Sequence, residues 1–246
     1  MARVVNEKEY AAKRNEILDV AQRLVQIKGY EQMSIQDILD ELHISKGAFY
    51  HYYSSKQAVL EALTNRMVED VEQIIIPIVY DPQLTALEKL QLYFDVIVRW
   101  KTERKPFVLE LARVWFADDN AIVRLKLHAT GVKRIAPLLA TIVRQGIQEG
   151  VFTTPYPDQA GVIAVSLLED LNEVLVSMLL SLESKRDDPR CLEDTVAAFT
   201  DALERVLGAP SGSLQIVDAT TLKEWTFSPT DKIQKQGESM KIGFNS

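Results

Sequence analysis

The twelve residues SKGAFYHYYSSK, from Ser45 to Lys56, bring two lysines, a glycine, a histidine and three tyrosines into one short stretch. Each type has an evident use against DNA. Lys46 can donate to guanine O6/N7 or to a phosphate, and His51 can reach a base edge or a phosphate. The Tyr50 and Tyr52 hydroxyls can donate to phosphates, and the Ala48 methyl can touch a thymine methyl. Gly47 lets the backbone come close, and Lys56 follows Ser55 at a helix start whose free N–H groups share an anion. The unbroken row Phe49, Tyr50, His51, Tyr52, Tyr53 cannot all be core, because a helix buries one stripe of residues three or four apart. Phe49 and Tyr53 share a face and are assigned to the core, which leaves Lys46, Gly47, Tyr50 and His51 on the other side. From residue types alone, a DNA-reading face and an ordinary half-covered helix surface stand equally open.

The elements that must position this stretch are helical, with no convincing run of alternating apolar and polar residues before residue 213. A first helix is expected over Glu7–Lys28, stopped by Gly29. Ser34 reads as the N-cap of a second helix ending near Leu42, and Ser45 as the N-cap of the third. Two short helices joined by the Leu42, His43, Ile44 turn have the geometry that places a second helix in a major groove. A fourth helix is expected from Ser55 to Ile76, closed by Pro77. Thr85 and Glu88 have capping-box spacing for the next. Further helices are expected over 106–117, 120–149, 158–182 and 189–207.

The pattern GYEQMSIQDILDELHISKGAFYHYYSSKQAVLEAL closely resembles the helix-turn-helix of the TetR/AcrR family of bacterial transcription regulators. Gly29-Tyr30 stands where that family ends helix 1, and Ser34, Asp37 and Ile38 where it begins helix 2. Ile44-Ser45, Gly47, Tyr50, Tyr53 and Lys56 match the stretch that follows. The resemblance covers residues 7–66 and implies Gln36, Lys46, Ala48 and His51 as base-facing residues. It also implies Ser34, Ser45, Tyr50, Tyr52 and Lys56 as phosphate contacts, with Lys8, Lys13 and Arg14 adding backbone contacts. Three departures matter. Leu42-His43 replaces the usual Ala-Gly, so His43 must accept or avoid a left-handed conformation. Tyr53 stands at a usual Phe and brings a hydroxyl to satisfy, and Ala48 stands at a usual Ser or Thr.

The expected fold class is therefore all-α, an N-terminal three-helix helix-turn-helix module (1–54) joined to a larger helical ligand-binding and dimerisation domain (55–207). A loosely ordered tail (208–246) follows, whose segment SLQIVDATTLKEWTF is a candidate to dock on the body. Heptad-like stripes run through Ala160, Ala164, Leu167, Leu171, Val174 and Met178, and through Leu192, Val196, Phe199, Leu203 and Val206. They fit a four-helix dimer seam, which the resembled family builds from its last two helices; core helices show the same period. The dimer candidates are Leu167, Leu171, Val174, Met178, Val196, Phe199 and Leu203. Tyr93, Phe94, Trp100, Phe107, Trp115 and Phe116 crowd the middle helices as core or as a pocket, and the resemblance favours a pocket. The ligand candidates are Trp100, Phe107, Glu110, Arg113, Trp115, Phe116, His128 and Asp170, with Glu169 and Asn172 as further polar groups.

Composition narrows the classes. Residues 1–66 hold nine basic and nine acidic residues, so the net charge of −7 belongs to the rest, which argues against nonspecific coating of nucleic acid. One cysteine, Cys191, excludes an intramolecular disulfide and a Cys-x-x-Cys site and fits a reducing cytoplasm. The amino terminus lacks the apolar core of a signal peptide, and the longest apolar run is broken by Glu169, Asp170, Asn172 and Glu173, so no membrane partner is expected. Of three histidines, two lie in the DNA-reading module, and His128 has no partner at motif spacing. No Gly-rich phosphate loop occurs, so neither an enzyme nor a cofactor is expected. The expectation is a cytoplasmic homodimeric repressor of a palindromic operator, released by a small partly apolar effector. The alternative is an architectural or adaptor protein that binds DNA without an effector.

Overall fold

The computed structural model describes residues 7–115, 120–183 and 190–226. Among them every regular element is a helix: α1 (Glu7–Lys28), α2 (Ile35–Leu42), α3 (Lys46–Tyr52), α4 (Lys56–Val79), α5 (Ala86–Glu103), α6 (Lys105–Trp115), α7 (Ala121–Gln148), α8 (Pro157–Glu183), α9 (Arg190–Leu207) and α10 (Ala219–Thr226). The chain folds as two compact units. The first runs to Tyr80 and includes Glu103–Leu138; the second comprises Asp81–Thr102 and the chain from Leu139 onward.

Local chemistry sets the boundaries in the first unit. Gly29 takes φ +81° and its N–H reaches Val25 O at 2.9 Å, ending α1. Ser34 and Asp37 form a reciprocal capping box at the start of α2, and the Ser45 and Ser55 hydroxyls accept from the N–H groups of Ala48 and Ala58. His43 adopts the left-handed conformation, φ 52° and ψ 40°, that the departure from glycine put in question. Pro77 does not close α4, contrary to expectation. It lies inside the last turn, where its missing N–H costs a single bond, and Tyr80 N reaches Ile76 O at 3.2 Å beyond it.

One core joins the short helices to longer ones. Ile17, Leu18, Ala21 and Val25 of α1 pack with Ile38 and Leu39 of α2, Phe49, Tyr53, and Val59, Leu60 and Leu63 of α4. Phe107, Leu111 and Val114 of α6 and Val123 of α7 belong to the same cluster. Full burial of each large side chain contributes about 1.5–3 kcal/mol, which a seven-residue helix cannot supply for itself. Charged pairs run along α4 and α7 of this unit: Lys126 with Glu61 at 2.7 Å, and Arg134 with Glu69 at 2.9 Å and with Glu72.

In the second unit α8 packs along α9, and α10 packs on both. The expectation of a loosely ordered tail from Gly208 fails as far as Thr226. Leu214, Ile216 and Leu222 are buried, and the buried Glu204 carboxylate accepts from the N–H groups of Gly212 and Leu214, each at 2.9 Å. Gln91 bonds Gln215 in both directions. The candidate docking segment therefore does dock, held by three buried apolar residues and by the bonds to Glu204 and Gln91. Residues 227–246 lie outside the described residues.

Candidate nucleic-acid interface

The aromatic row divides as helical geometry requires. Phe49 is 0% and Tyr53 3% exposed, while Tyr50 is 45% exposed and His51 is exposed beside it. Ser34, Gln36, Ser45, Lys46 and Gly47 are also exposed, and Ala48, Tyr52 and Lys56 are half-buried. The sequence candidates thus share the outer surface of α2, α3 and the start of α4.

Electrostatics favour an anion on that surface. The first turn of α3 has no acidic residue, and Lys46 forms no ion pair among the described residues. Two of the three acids of α2 are paired with cations of α1, and the third is bonded by Gln36. Asp37 pairs with Lys28 at 2.6 Å, Glu41 pairs with Arg23, and Asp40 accepts from Gln36 Nε2 at 2.6 Å. The Lys28 ammonium and the Ser34 hydroxyl and N–H hold the Asp37 carboxyl well below the usual carboxylate range.

Gly47 is informative because the protein itself does not need a glycine there. A Cβ built on it meets only Ser45 Oγ, at 3.9 Å, and its φ is not in the left-handed region. Glycine in a helix costs about 0.5–1 kcal/mol against alanine, and no described residue uses the space it leaves open.

Three positions behave differently from the reading of the sequence. Lys56 is anchored: Nζ donates to Glu31 O at 3.2 Å and lies 4.2 Å from the centre of the Tyr30 ring, and burial pushes its ammonium pKa down. Arg14, expected as a backbone contact, stacks on Tyr53 at 4.9 Å and donates to its Oη at 3.4 Å, while that hydroxyl donates to Arg14 O at 3.3 Å. The extra hydroxyl of Tyr53 is thereby satisfied. Tyr10 was missed altogether. Its ring lies 5.5 Å from that of His51 and 5.0 Å from that of Tyr52, and its hydroxyl donates to His51 O at 3.4 Å, so it orients both. The contact spans 41 residues of sequence, and no local pattern signals it.

The expected ligand residues do not gather in one unit. Trp100 (6% exposed) and the exposed Asp170 belong to the second. Phe107 (2% exposed), Glu110, Arg113 and His128 belong to the first, where Phe107 is part of the core around α1 and Arg113 pairs with Glu110. The Trp115 side chain and Phe116 lie outside the described residues. Among the seam candidates, Leu171, Val196 and Leu203 are buried within the single chain, Leu167, Met178 and Phe199 are half-buried, and Val174 is 38% exposed. No three His, Cys, Asp or Glu residues cluster as metal ligands among the described residues, and no described helix is long and apolar enough to cross a membrane.

A short recognition helix held by caps and an aromatic core, with polar groups and a bare glycine outward, defines a helix-turn-helix DNA-binding regulator. Residues 17–63 match the family model for bacterial regulatory proteins of the tetR family, and residues 113–176 match a tetracyclin repressor-like C-terminal domain. The HTH-type transcriptional regulator EthR of Mycolicibacterium smegmatis is 29% identical over 182 residues, 66% of this chain and 84% of that protein. The uncharacterized HTH-type regulator YuxN of Bacillus subtilis is 47% identical over 49 residues, 20% of this chain and only 17% of its own length. A TetR-family transcriptional regulator from Pectobacterium atrosepticum has the same fold, with TM-score 0.64 at 17% identity, over 83% of this chain and 99% of that one. The chain belongs to the TetR family of transcriptional regulators. Its curated relatives are named as regulators rather than enzymes.

Proposed function

We propose that the protein is a cytoplasmic homodimeric repressor that binds a palindromic operator through two copies of α3 and leaves it when a small, partly apolar effector binds. The outer face of α3 carries this reading: Lys46, Gly47, Tyr50 and His51 are exposed together, and the glycine leaves room that no described residue fills. Lys46, Ala48 and His51 serve base edges and Ser45, Tyr50 and Tyr52 serve phosphates, while Gln36, Ser34 and Lys56 join them by exchanging their bonds to Asp40, Asp37 and Glu31. The twofold axis of a palindrome calls for two subunits. Val174 and Ile163, both exposed and eleven residues apart on one face of α8, support a seam on that uncovered side of the helix. Coupling to the effector is reciprocal, so operator DNA weakens effector binding by the same factor by which effector weakens operator binding.

Footprinting on DNA selected from a random pool tests the reading. Two inverted half-sites whose centres lie about 34–36 Å apart on one face of the duplex are expected. Protection of one asymmetric site by a monomer refutes it. Val174→Glu is expected to give helical monomers without operator binding, because an unpaired charge in an apolar seam is costly. Leu203, at 1% exposure, is unsuitable for that test, since a charge there would disrupt the subunit itself.

A further inference from the structure

The second unit contains a polar cluster that DNA binding does not use. Lys101 Nζ on α5 donates to Asn172 Oδ1 on α8 at 2.7 Å. Tyr93 lies eight residues before Lys101 on the same face of α5, and Glu169 lies three before Asn172 on the same face of α8. The charge of Glu169 acts on both α5 residues: it adds to burial in raising the Tyr93 phenol, and it opposes the burial that pushes the Lys101 ammonium down to about 8. Tyr93, Phe94, Trp100 and Leu171 are all buried. Trp225 of α10 donates from Nε1 to Thr102 Oγ1 at 2.9 Å, so the docked C-terminal segment closes over the end of α5. A cation, a carboxylate and an amide, each half-buried, and a buried phenol thus lie within one largely apolar helical unit.

Such a cluster is a poor way to gain stability, because well-packed apolar residues of similar volume do as well or better. It is a good way to recognise a polar group. The charged candidates named from sequence offer less: Arg113 and Glu110 pair with each other, and Asp170 is exposed. We infer that Tyr93, Lys101, Glu169 and Asn172 form the polar end of the effector site and select an uncharged, mostly aromatic molecule carrying one hydroxyl or carbonyl group. This rests on the reading of the protein as an effector-released regulator. The reason is charge balance. Lys101 and Glu169 offset each other, so an anionic or cationic ligand would leave one half-buried charge without its counterpart in a largely apolar surrounding, which is unfavourable. A hydroxyl can donate to Glu169 while accepting from Lys101 or Tyr93, and a carbonyl can accept from both.

Four probes with one ring system test this on the full-length protein: 2-naphthol, 2-naphthoate, 2-naphthylmethylammonium and naphthalene. Binding is measured by calorimetry and by thermal shift. Wild type is expected to prefer naphthol over both ions. Glu169→Gln leaves the lysine charge uncompensated and is expected to move preference toward naphthoate by about tenfold or more. Lys101→Met is expected to move it as far toward the ammonium probe. The double variant Lys101→Met/Glu169→Gln removes both charges, keeps the interior neutral should a single variant fail to fold, and is expected to prefer naphthol or naphthalene over both ions. No binding of any probe to wild type, or the same order of preference in wild type and the folded single variants, overturns the site, as does a double variant that prefers either ion. Operator release is measured separately. A naphthol that binds with the expected charge preferences yet leaves the operator bound supports the site and removes the effector-release reading.

Discussion

Gly47→Ala separates what α3 needs for folding from what it needs for DNA. Inside the protein the added methyl meets Ser45 Oγ at 3.9 Å, an ordinary van der Waals distance, and φ is not in the left-handed region. Replacing a helical glycine with alanine should therefore stabilise the first unit by about 0.5–1 kcal/mol. For a chain of this size that raises the unfolding midpoint by roughly 1–4 °C. On DNA the sign reverses. If the Gly47 backbone lies against the sugar-phosphate chain, the methyl must displace one or the other, at a cost of about 1–3 kcal/mol. That weakens binding roughly 5- to 150-fold. Thermal unfolding and fluorescence anisotropy on selected operator DNA at fixed salt measure the two halves. A variant that is both more stable and as tight on operator refutes the close approach and removes the amino end of α3 from the DNA surface. A less stable variant refutes the account of the open space.

The remaining predictions concern other parts of the chain. His43→Gly should stabilise the protein by about 0.5–1 kcal/mol, since relief of a left-handed L residue outweighs the freedom glycine gains when unfolded; denaturant unfolding checks it. Asp37 is held below the ordinary carboxylate value of about 4, so its contribution is present above that pH and is lost as pH falls through the lower folded value. Acid unfolding of Asp37→Asn should lack this part of the pH dependence, and curves of the same slope for both proteins would refute the assignment. Gly146→Ala would set a methyl 2.1 Å from the Phe152 ring and should cost about 1–3 kcal/mol, partly restored by Phe152→Leu in the same chain. Loss of stability without restoration would mean that the ring is not what the methyl meets.

The sequence by itself determined the helices and the division of the aromatic row, because both depend on contacts within a few residues. Ser34, Ser45 and Ser55 cap the helices that follow them, Thr85 bonds Glu88 as their spacing requires, and Phe49 and Tyr53 face inward while Tyr50 faces out. The all-α class and the helix-turn-helix follow from the same local rules. The end of α4 was misjudged because a proline in a last turn removes only one bond. Tertiary structure alone decided which charges remain available. Arg14 is drawn onto Tyr53, Lys56 onto Tyr30 and Glu31, and Arg113 onto Glu110, so three cations legible as contacts already have partners. It also decided that Tyr10 braces His51 and Tyr52, that Phe107 packs with α1, and that Lys101 meets Asn172. Those pairings join residues tens of positions apart, and helical period names the face a residue occupies without naming the helix that face will meet.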